Sequence, residues 1–186
     1  MRQVFLTGLL VLAGCAAPVV LDPPPTGIPD DIDFTGYWSL QQVEGRQQPT
    51  RATDALIIPK DRRAPVRRSS RSEPGSAARV FLESGNELKI TQAESALFIS
   101  FDRSIVEEHR FGVLREISVG PIEAQRSAGW VGDTLEIKTL DDDGALLTER
   151  WTLRLGGDQL VREVQLIHKD EVLMKGTQVF RRRGDR

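Results

Sequence analysis

Apolar and polar residues alternate with a period of two in short runs through most of the second half of the chain, as in Leu88-Lys89-Ile90-Thr91. This period is typical of a β-strand that buries one face, and the region shows little of the 3.6-residue period of a helix. Turn-forming Gly, Asn and Asp residues separate the runs. The pattern predicts ten strands and a weaker eleventh, at approximately 36–43, 78–83, 87–92, 96–102, 109–118, 123–131, 133–140, 145–155, 158–167 and 171–182, with the weaker one at 54–58.

The prolines indicate where the sheet lies. Nine of the ten prolines precede residue 75, and proline is excluded from central strands, so the sheet is expected mostly in the second half of the chain. Strands that follow one another about every ten residues indicate an antiparallel meander, whose edges stay exposed unless the sheet closes. We predict an all-β fold in which the antiparallel meander closes into an up-and-down β-barrel, with a β-sandwich as the alternative.

The N-terminus carries the features of a targeting segment. Arg2 precedes the apolar stretch Val4–Leu12, which has the length of a signal-peptide core and about half the length of a membrane-spanning helix. The stretch ends in Leu12-Ala13-Gly14-Cys15, which resembles the lipobox of bacterial lipoproteins. The resemblance implies that residues 1–14 are a signal peptide and that Cys15 is lipidated and becomes the mature N-terminus.

A proline-rich segment follows the predicted lipid attachment site. Residues 15–33 contain five prolines, and such segments favour extended, semi-rigid chain. We expect a tether that holds a single domain, residues 34–186, off the membrane. Ala16 follows Cys15 where an Asp would favour the inner membrane, so the lipoprotein resemblance implies a cell outer membrane location, facing the periplasm.

Two motifs suggest the kind of barrel. The first strand begins Gly36-Tyr37-Trp38, and Gly-x-Trp after a tether resembles the lipocalin signature. Later, Trp130, a Gly-Asp turn and an alternating strand precede Glu149-Arg150-Trp151, which is similar to a pattern in small secreted bacterial β-proteins. The resemblance implies a lipocalin-like barrel whose bottom Trp38 closes. It also implies an arginine over that tryptophan from the last strand, with Arg181, Arg182 and Arg183 as candidates.

A charged cluster is expected inside this barrel. Glu149 shares the apolar face of its strand with Trp151. If the Gly156-Gly157 pair forms a two-residue turn, Trp151 lies opposite Arg162, and Glu149 is diagonal to that arginine. An arginine over a tryptophan and near a glutamate could anchor a ligand headgroup. Together with Trp38, these residues are the predicted ligand-binding site; the alternative is a purely structural pair at the barrel end.

Residues 60–79 form a strongly basic segment. They carry seven basic and two acidic side chains, a local net charge of +5, whereas residues 81–180 carry 18 acids and 11 bases. Each basic residue near an anionic surface contributes about 1 kcal/mol, so contact with anionic lipid or lipopolysaccharide is one hypothesis and a solvated loop is the other. The candidate contact residues are Arg62, Arg63, Arg67, Arg68 and Arg71.

Composition limits the remaining function classes. The 186-residue chain has a formal net charge of −2, one Cys and two His. It therefore has no overall basic field for nucleic acid, no disulfide framework and no Cys- or His-rich metal site. His109 and His168 are expected at the surface, and Asp141–Gly144 in an acidic hairpin turn rather than a calcium loop. No cofactor-binding or hydrolase motif is present, so we expect no cofactor and no enzymatic activity.

Two functions remain open at this stage. The first is binding of a hydrophobic or amphipathic ligand inside the barrel. The second is a protein-interaction module, such as an envelope assembly factor or an inhibitor of a periplasmic hydrolase. An interior cavity of about 300 Å³ or more favours the ligand, whereas a barrel filled with side chains favours the interaction module.

Overall fold

A computed structural model describes residues 20–22, 24–25, 27–45 and 74–184. The predicted signal peptide, Cys15, the weak strand at 54–58 and the five candidate arginines between residues 62 and 71 lie outside the described residues.

The described chain contains ten β-strands, one short α-helix and a three-residue 3-10 helix at Leu155–Gly157. The strands are β1 (Gly36–Gly45), β2 (Glu87–Ala93), β3 (Ala96–Phe101), β4 (Ile105–Arg110), β5 (Arg115–Val119), β6 (Ile122–Val131), β7 (Thr134–Asp141), β8 (Ala145–Arg154), β9 (Gln159–His168) and β10 (Glu171–Arg183), and the helix is α1 (Ser76–Arg79). The longer of the two helices has four residues, so no helix within the described ranges is long and apolar enough to cross a bilayer.

The strands form one antiparallel sheet in the order β4-β3-β2-β1-β10-β9-β8-β7-β6-β5. Because the first strand pairs with the last, the meander curls into a barrel, which confirms the predicted fold. β4 and β5 are the two edge strands and do not pair with each other, so the sheet is open between them. This opening is bridged by the backbone hydrogen bond from Gly112 to Ala128 and by ion pairs from Arg115 to Glu108 and from Arg126 to Glu107.

The barrel encloses an apolar core at the end where β1 begins. Trp38, Trp130 and Trp151 are all buried there. Trp38 donates its indole N–H to the Phe34 carbonyl, and the guanidinium carbon of Arg182 lies 4.3 Å from the centroid of its ring. Of the three candidate arginines, Arg182 is therefore the one that covers Trp38.

Gly36 is needed for this close packing. It has φ = 147°, and a Cβ at this position would lie 2.9 Å from Arg182 Nη1. The same guanidinium donates to the carbonyls of Asp33, Thr35 and Gly157. A larger residue at position 36 would displace the group that joins the chain entering β1 to the β8–β9 turn.

The segment before β2 differs from the prediction. Residues 78–83 were predicted as a strand, and residues 74–79 as the end of the basic segment, but α1 and the turns after it pack into the barrel. We call residues 76–83 the plug. Ala78 and Leu82 pack against inward side chains of β8, β9 and β10, while Phe81 packs with Ala124 on β6. Burial of these side chains against the sheet outweighs the strand propensity of the run.

Two other stretches also differ. The single strand predicted at 109–118 is interrupted between β4 and β5, where Gly112 has φ = 66°, a conformation that suits a turn. The predicted tether does not stay clear of the barrel. Leu21 is buried, the backbone N–H of Trp130 donates to the Pro25 carbonyl, and a Cβ on Gly129 would lie 2.6 Å from that oxygen. The last part of the tether therefore packs against the outside of β6.

Trp38→Ala should destabilise the domain severely. Truncating a fully buried tryptophan typically costs about 3–5 kcal/mol, a large part of the ~5–15 kcal/mol that stabilises a domain. Tyr37→Ala, at a neighbouring side chain that is 45% exposed, is the control. Chemical denaturation measures both. Equal free energies of unfolding for the two variants would show that Trp38 has no special role in the core.

Candidate functional site: the charged interior of the barrel

A buried arginine lies at the centre of the barrel interior. The Leu155–Asp158 turn pairs Trp151 with Arg162, which is the register expected from the sequence. Arg162 is 1% exposed. Its Nε donates to Glu149 Oε2 at 2.8 Å, and Nη2 donates to the same oxygen. Nη1 donates to Gln178 Oε1 at 3.0 Å and to the Glu83 carbonyl at 2.8 Å.

Aromatic rings pack around this guanidinium. Its central carbon lies 4.8 Å from the Trp151 ring centroid and 5.4 Å from that of Phe101. The structure thus brings together Glu149, Trp151 and Arg162, three of the four residues predicted to bind a ligand. Trp38, the fourth, belongs to the same apolar cluster as Trp151, but its cationic partner is Arg182.

A second buried arginine, Arg126 on β6, was not predicted. It is 8% exposed and donates to Thr139 Oγ1, to Glu107 Oε1 and to the Phe81 carbonyl at 2.9–3.0 Å. The sequence did carry a signal for it, because Arg126 is in period-two phase with Trp130 and therefore faces the interior. The residues around Arg126 are mostly polar, so the local sequence does not by itself identify this arginine as buried.

Glu107, the partner of Arg126, stays ionised well below neutral pH. Burial of Glu107 opposes its ionisation, but the adjacent His109 and the charge of Arg126 outweigh burial and lower the pKa of Glu107 to about 2. His109 was predicted at the surface; it is 2% exposed, with Nε2 3.5 Å from Glu107 Oε2. Its position on β4 turns it toward the interior side of the β4–β5 opening.

The plug brings a further carboxylate to the cluster. Burial raises the pKa of Glu83, and the neighbouring Glu107 and Glu149 carboxylates add to that rise, while Arg162 and Arg126 reduce it without cancelling it. The ionised form of Glu83 is therefore disfavoured in the folded protein. At neutral pH this side chain opposes seating of the plug.

Three polar contacts hold the plug in the barrel. Arg126 and Arg162 bind its carbonyls at Phe81 and Glu83, and the Ala78 N–H donates to Asp141 Oδ2 at 3.0 Å. Asp141 also accepts the Asp143 and Ala145 N–H groups through Oδ1, which makes 141–144 the acidic hairpin turn expected from the sequence. Side chains of the barrel thus form hydrogen bonds with the backbone of the plug near both of its ends.

Some buried donors in the described interior have no hydrogen-bond partner. The indole nitrogens of Trp130 and Trp151 are examples. Among the described residues, no three His, Cys, Asp or Glu side chains are placed to hold a metal ion. What the cluster offers chemically is hydrogen-bond donation to oxygen acceptors in a low-dielectric interior, where each such bond is strengthened.

No family model and no curated protein sequence matches the chain. Among solved structures, an abundant heat soluble (SAHS) protein of Ramazzottius varieornatus is 13% identical, with a TM-score of 0.48 over 81% of this chain and 95% of that one. Fatty-acid-binding protein 1 of Echinococcus granulosus is 13% identical, with a TM-score of 0.47 over 81% of this chain and 98% of that one.

Glu83→Gln should stabilise the protein at neutral pH. Because folding raises the pKa of Glu83, the stability linked to its proton is present below the unfolded-state value and is lost as pH rises through the folded-state value. Glutamine does not ionise, so the variant should melt at a higher temperature than wild type at pH 7. The two proteins should converge at pH 4.

Melting temperatures at the two pH values measure this difference. Glu163→Gln, at an exposed position on β9, controls for the change in net charge. A Glu83→Gln variant that melts below wild type at pH 7 would show that the carboxylate supports the plug instead of opposing it.

Proposed function

We propose that the protein is a non-enzymatic lipoprotein of the cell envelope whose barrel holds an amphipathic ligand in the place now occupied by the plug. The observation that carries the proposal is that both buried arginines direct a donor at backbone carbonyls of the plug, which is a separate segment of the chain, besides binding side chains of the barrel wall. Those two donors become available as soon as the plug leaves.

The apolar part of such a ligand would replace the plug's side chains. Ala78, Phe81 and Leu82 are buried between β6 on one side and β8–β10 on the other. These strands present Leu147, Val164, Leu166 and Ala124 to them. A hydrocarbon chain would meet the same surface, and burial of each methylene contributes about 0.8 kcal/mol.

The polar part would be recognised by its oxygen atoms. Without the plug each buried arginine keeps a carboxylate partner, because Arg162 pairs with Glu149 and Arg126 pairs with Glu107. A headgroup with two acceptor oxygens can take the two donors released by the plug carbonyls, and the unpartnered Trp151 N–H is a further donor. A long-chain fatty acid has this composition and is the natural first probe.

The lipid anchor is part of the proposal and rests on the lipobox at residues 12–15. Eight residues separate Cys15 from Pro24, which packs on β6, so the chain can span at most about 30 Å between them. An acylated Cys15 would therefore keep the barrel close to the membrane. The outer membrane, facing the periplasm, is the proposed location because Ala16 follows the cysteine.

A second candidate function is the protein-interaction module. The observation that favours it is that the plug and the inward side chains fill the barrel, while three cavities of about 610, 400 and 400 Å³ lie on its outer surface. Native mass spectrometry of the protein purified from its own cells separates the two functions. A bound mass of a few hundred daltons indicates a ligand, and a mass in the range of proteins indicates a partner.

Cys15→Ser should release the protein from the membrane. Two or more acyl chains anchor a protein stably, and the variant has no thiol to carry them. The measurement is fractionation of cells that produce wild type or variant. Retention of the variant in the membrane pellet after a high-salt wash would exclude the lipid as the anchor.

Phe81→Ala should strengthen the binding of a fluorescent long-chain fatty acid. If the ligand enters only when the plug is out, wild-type affinity is reduced by the small fraction of open barrels, and loosening the plug should raise affinity about tenfold or more. Arg162→Met should abolish the binding. Titration of the purified protein by fluorescence measures all three affinities.

Phe98→Ala is the matched control for this titration. It removes the same side chain from the outer face of β3, where Phe98 is 37% exposed, and should leave the affinity unchanged. Circular dichroism confirms that each variant is folded. Tighter binding by Phe98→Ala, or fatty-acid binding that does not depend on Arg162, would rule out the barrel interior as the site.

A further inference from the structure

A groove runs along the outer face of the barrel on β1, β2 and β3. Two cavities, of about 610 and 400 Å³, lie side by side there and share Tyr37, Lys89 and Arg183 among their lining residues. Strand register places these side chains in one row, because Tyr37 pairs with Arg183 on one side and with Lys89 on the other. Neighbouring strands are about 4.8 Å apart, so the row presents one group at each strand.

The groove is basic. Its walls carry Lys89, Arg103, Arg182 and Arg183 against a single carboxylate, that of Glu87. The other outer cavity, on β5, β6 and β7, is the reverse: it is lined by Glu116, Glu123, Asp141 and Asp142, and no basic residue. The two faces therefore give the barrel opposite potentials on opposite sides, which orients charged partners as they approach.

The basic residues are already arranged around a carboxylate. Arg183 Nη1 lies 2.6 Å from Glu87 Oε1, and Arg103 Nη2 lies 3.9 Å from Glu87 Oε2. The side chains of Arg183 and Glu87 are each 46% exposed, and that of Arg103 is 79% exposed. The planar guanidinium matches the geometry of a carboxylate, as it does that of a phosphate, through two parallel hydrogen bonds. These arginines could thus accept a carboxylate from outside in exchange for Glu87.

Aromatic side chains in and beside the groove add apolar contact surface. Tyr37 is 45% exposed within the groove, and Phe98 is 37% exposed on the adjoining strand. Tyrosine and arginine are among the side chains enriched at the centres of protein interfaces. A groove with both, and with a row of separate cationic positions, has the composition of a surface that receives a polypeptide.

The position of the groove leaves it open to such a partner. The tether packs on β6 at Gly129, and β6 is five strands away from β1 in either direction around the barrel. The described part of the tether therefore lies on the side opposite to the groove and leaves the groove uncovered. The separate cationic positions beside an exposed tyrosine favour a polypeptide with carboxylates over a lipid surface as the occupant.

We propose that the groove formed by Tyr37, Lys89, Arg103 and Arg183 is a docking site for an acidic segment of a partner protein. The inference rests on the second candidate function and gives it a location. It is independent of what the barrel interior binds, so failure of this site would leave the fatty-acid titration unaffected.

Fluorescence anisotropy of a fluorescein-labelled peptide of alternating Glu and Tyr, added to the full chain in mild detergent at low salt, tests the proposal. Lys89→Ser/Arg103→Ser should weaken binding about tenfold, since each exposed ion pair contributes up to a few-fold. Lys169→Ser/Lys175→Ser removes the same charge from exposed positions outside the groove and should change binding less than twofold. Glu87→Gln should tighten binding, because it removes the resident competitor.

Three results would overturn the proposal. The first is absence of peptide binding by wild type at low salt. The second is an equal loss in the two double variants, which would indicate an effect of net charge alone. The third comes from parallel titrations with phosphatidylglycerol vesicles and an oligogalacturonate: groove-dependent binding of either one, with none of the peptide, would assign the groove to a lipid surface or an acidic glycan.

Discussion

The hydrogen-bonded pair of Arg162 and Glu149 is the interaction on which the rest of the structure depends. Both side chains are almost fully buried, so each would be very costly without the other. The pair is tolerated because the guanidinium also reaches Gln178 and the Glu83 carbonyl and lies over two aromatic rings. These contacts tie β8, β9, β10 and the plug to one point in the barrel.

This charged interior explains why the barrel contains a plug. A barrel lined only with apolar side chains could pack them against one another. Here two arginines with several donors each need more acceptors than the barrel wall supplies, and the carbonyls of Phe81 and Glu83 complete the set. The plug thus fills the interior with apolar side chains and supplies oxygen acceptors to the two arginines. An amphipathic ligand could take over both roles.

Regular strands could be predicted from the sequence because their period-two pattern reflects burial directly. The same pattern, with the Gly156-Gly157 turn, was enough to place Arg162 opposite Trp151. The same alternation of inward and outward residues could also have identified Arg182 as the arginine that covers Trp38, because it follows Phe180 by two residues on the inward face. The plug could not be found this way, because Val80-Phe81-Leu82 reads locally as a strand and only the surrounding barrel makes it a turn. Burial of His109 likewise depends on the opening between β4 and β5, which no local pattern encodes.

A mutant cycle on the central pair tests this account most directly. Arg162→Met leaves Glu149 buried without a partner and should lower the free energy of unfolding by about 3–5 kcal/mol, whereas Arg162→Met/Glu149→Leu should recover most of that loss. The matched cycle on the exposed pair, Arg183→Met with Glu87→Leu, should show less than about 1 kcal/mol of coupling. If Arg162→Met costs no more than Arg183→Met in urea denaturation, the buried pair does not organise the barrel.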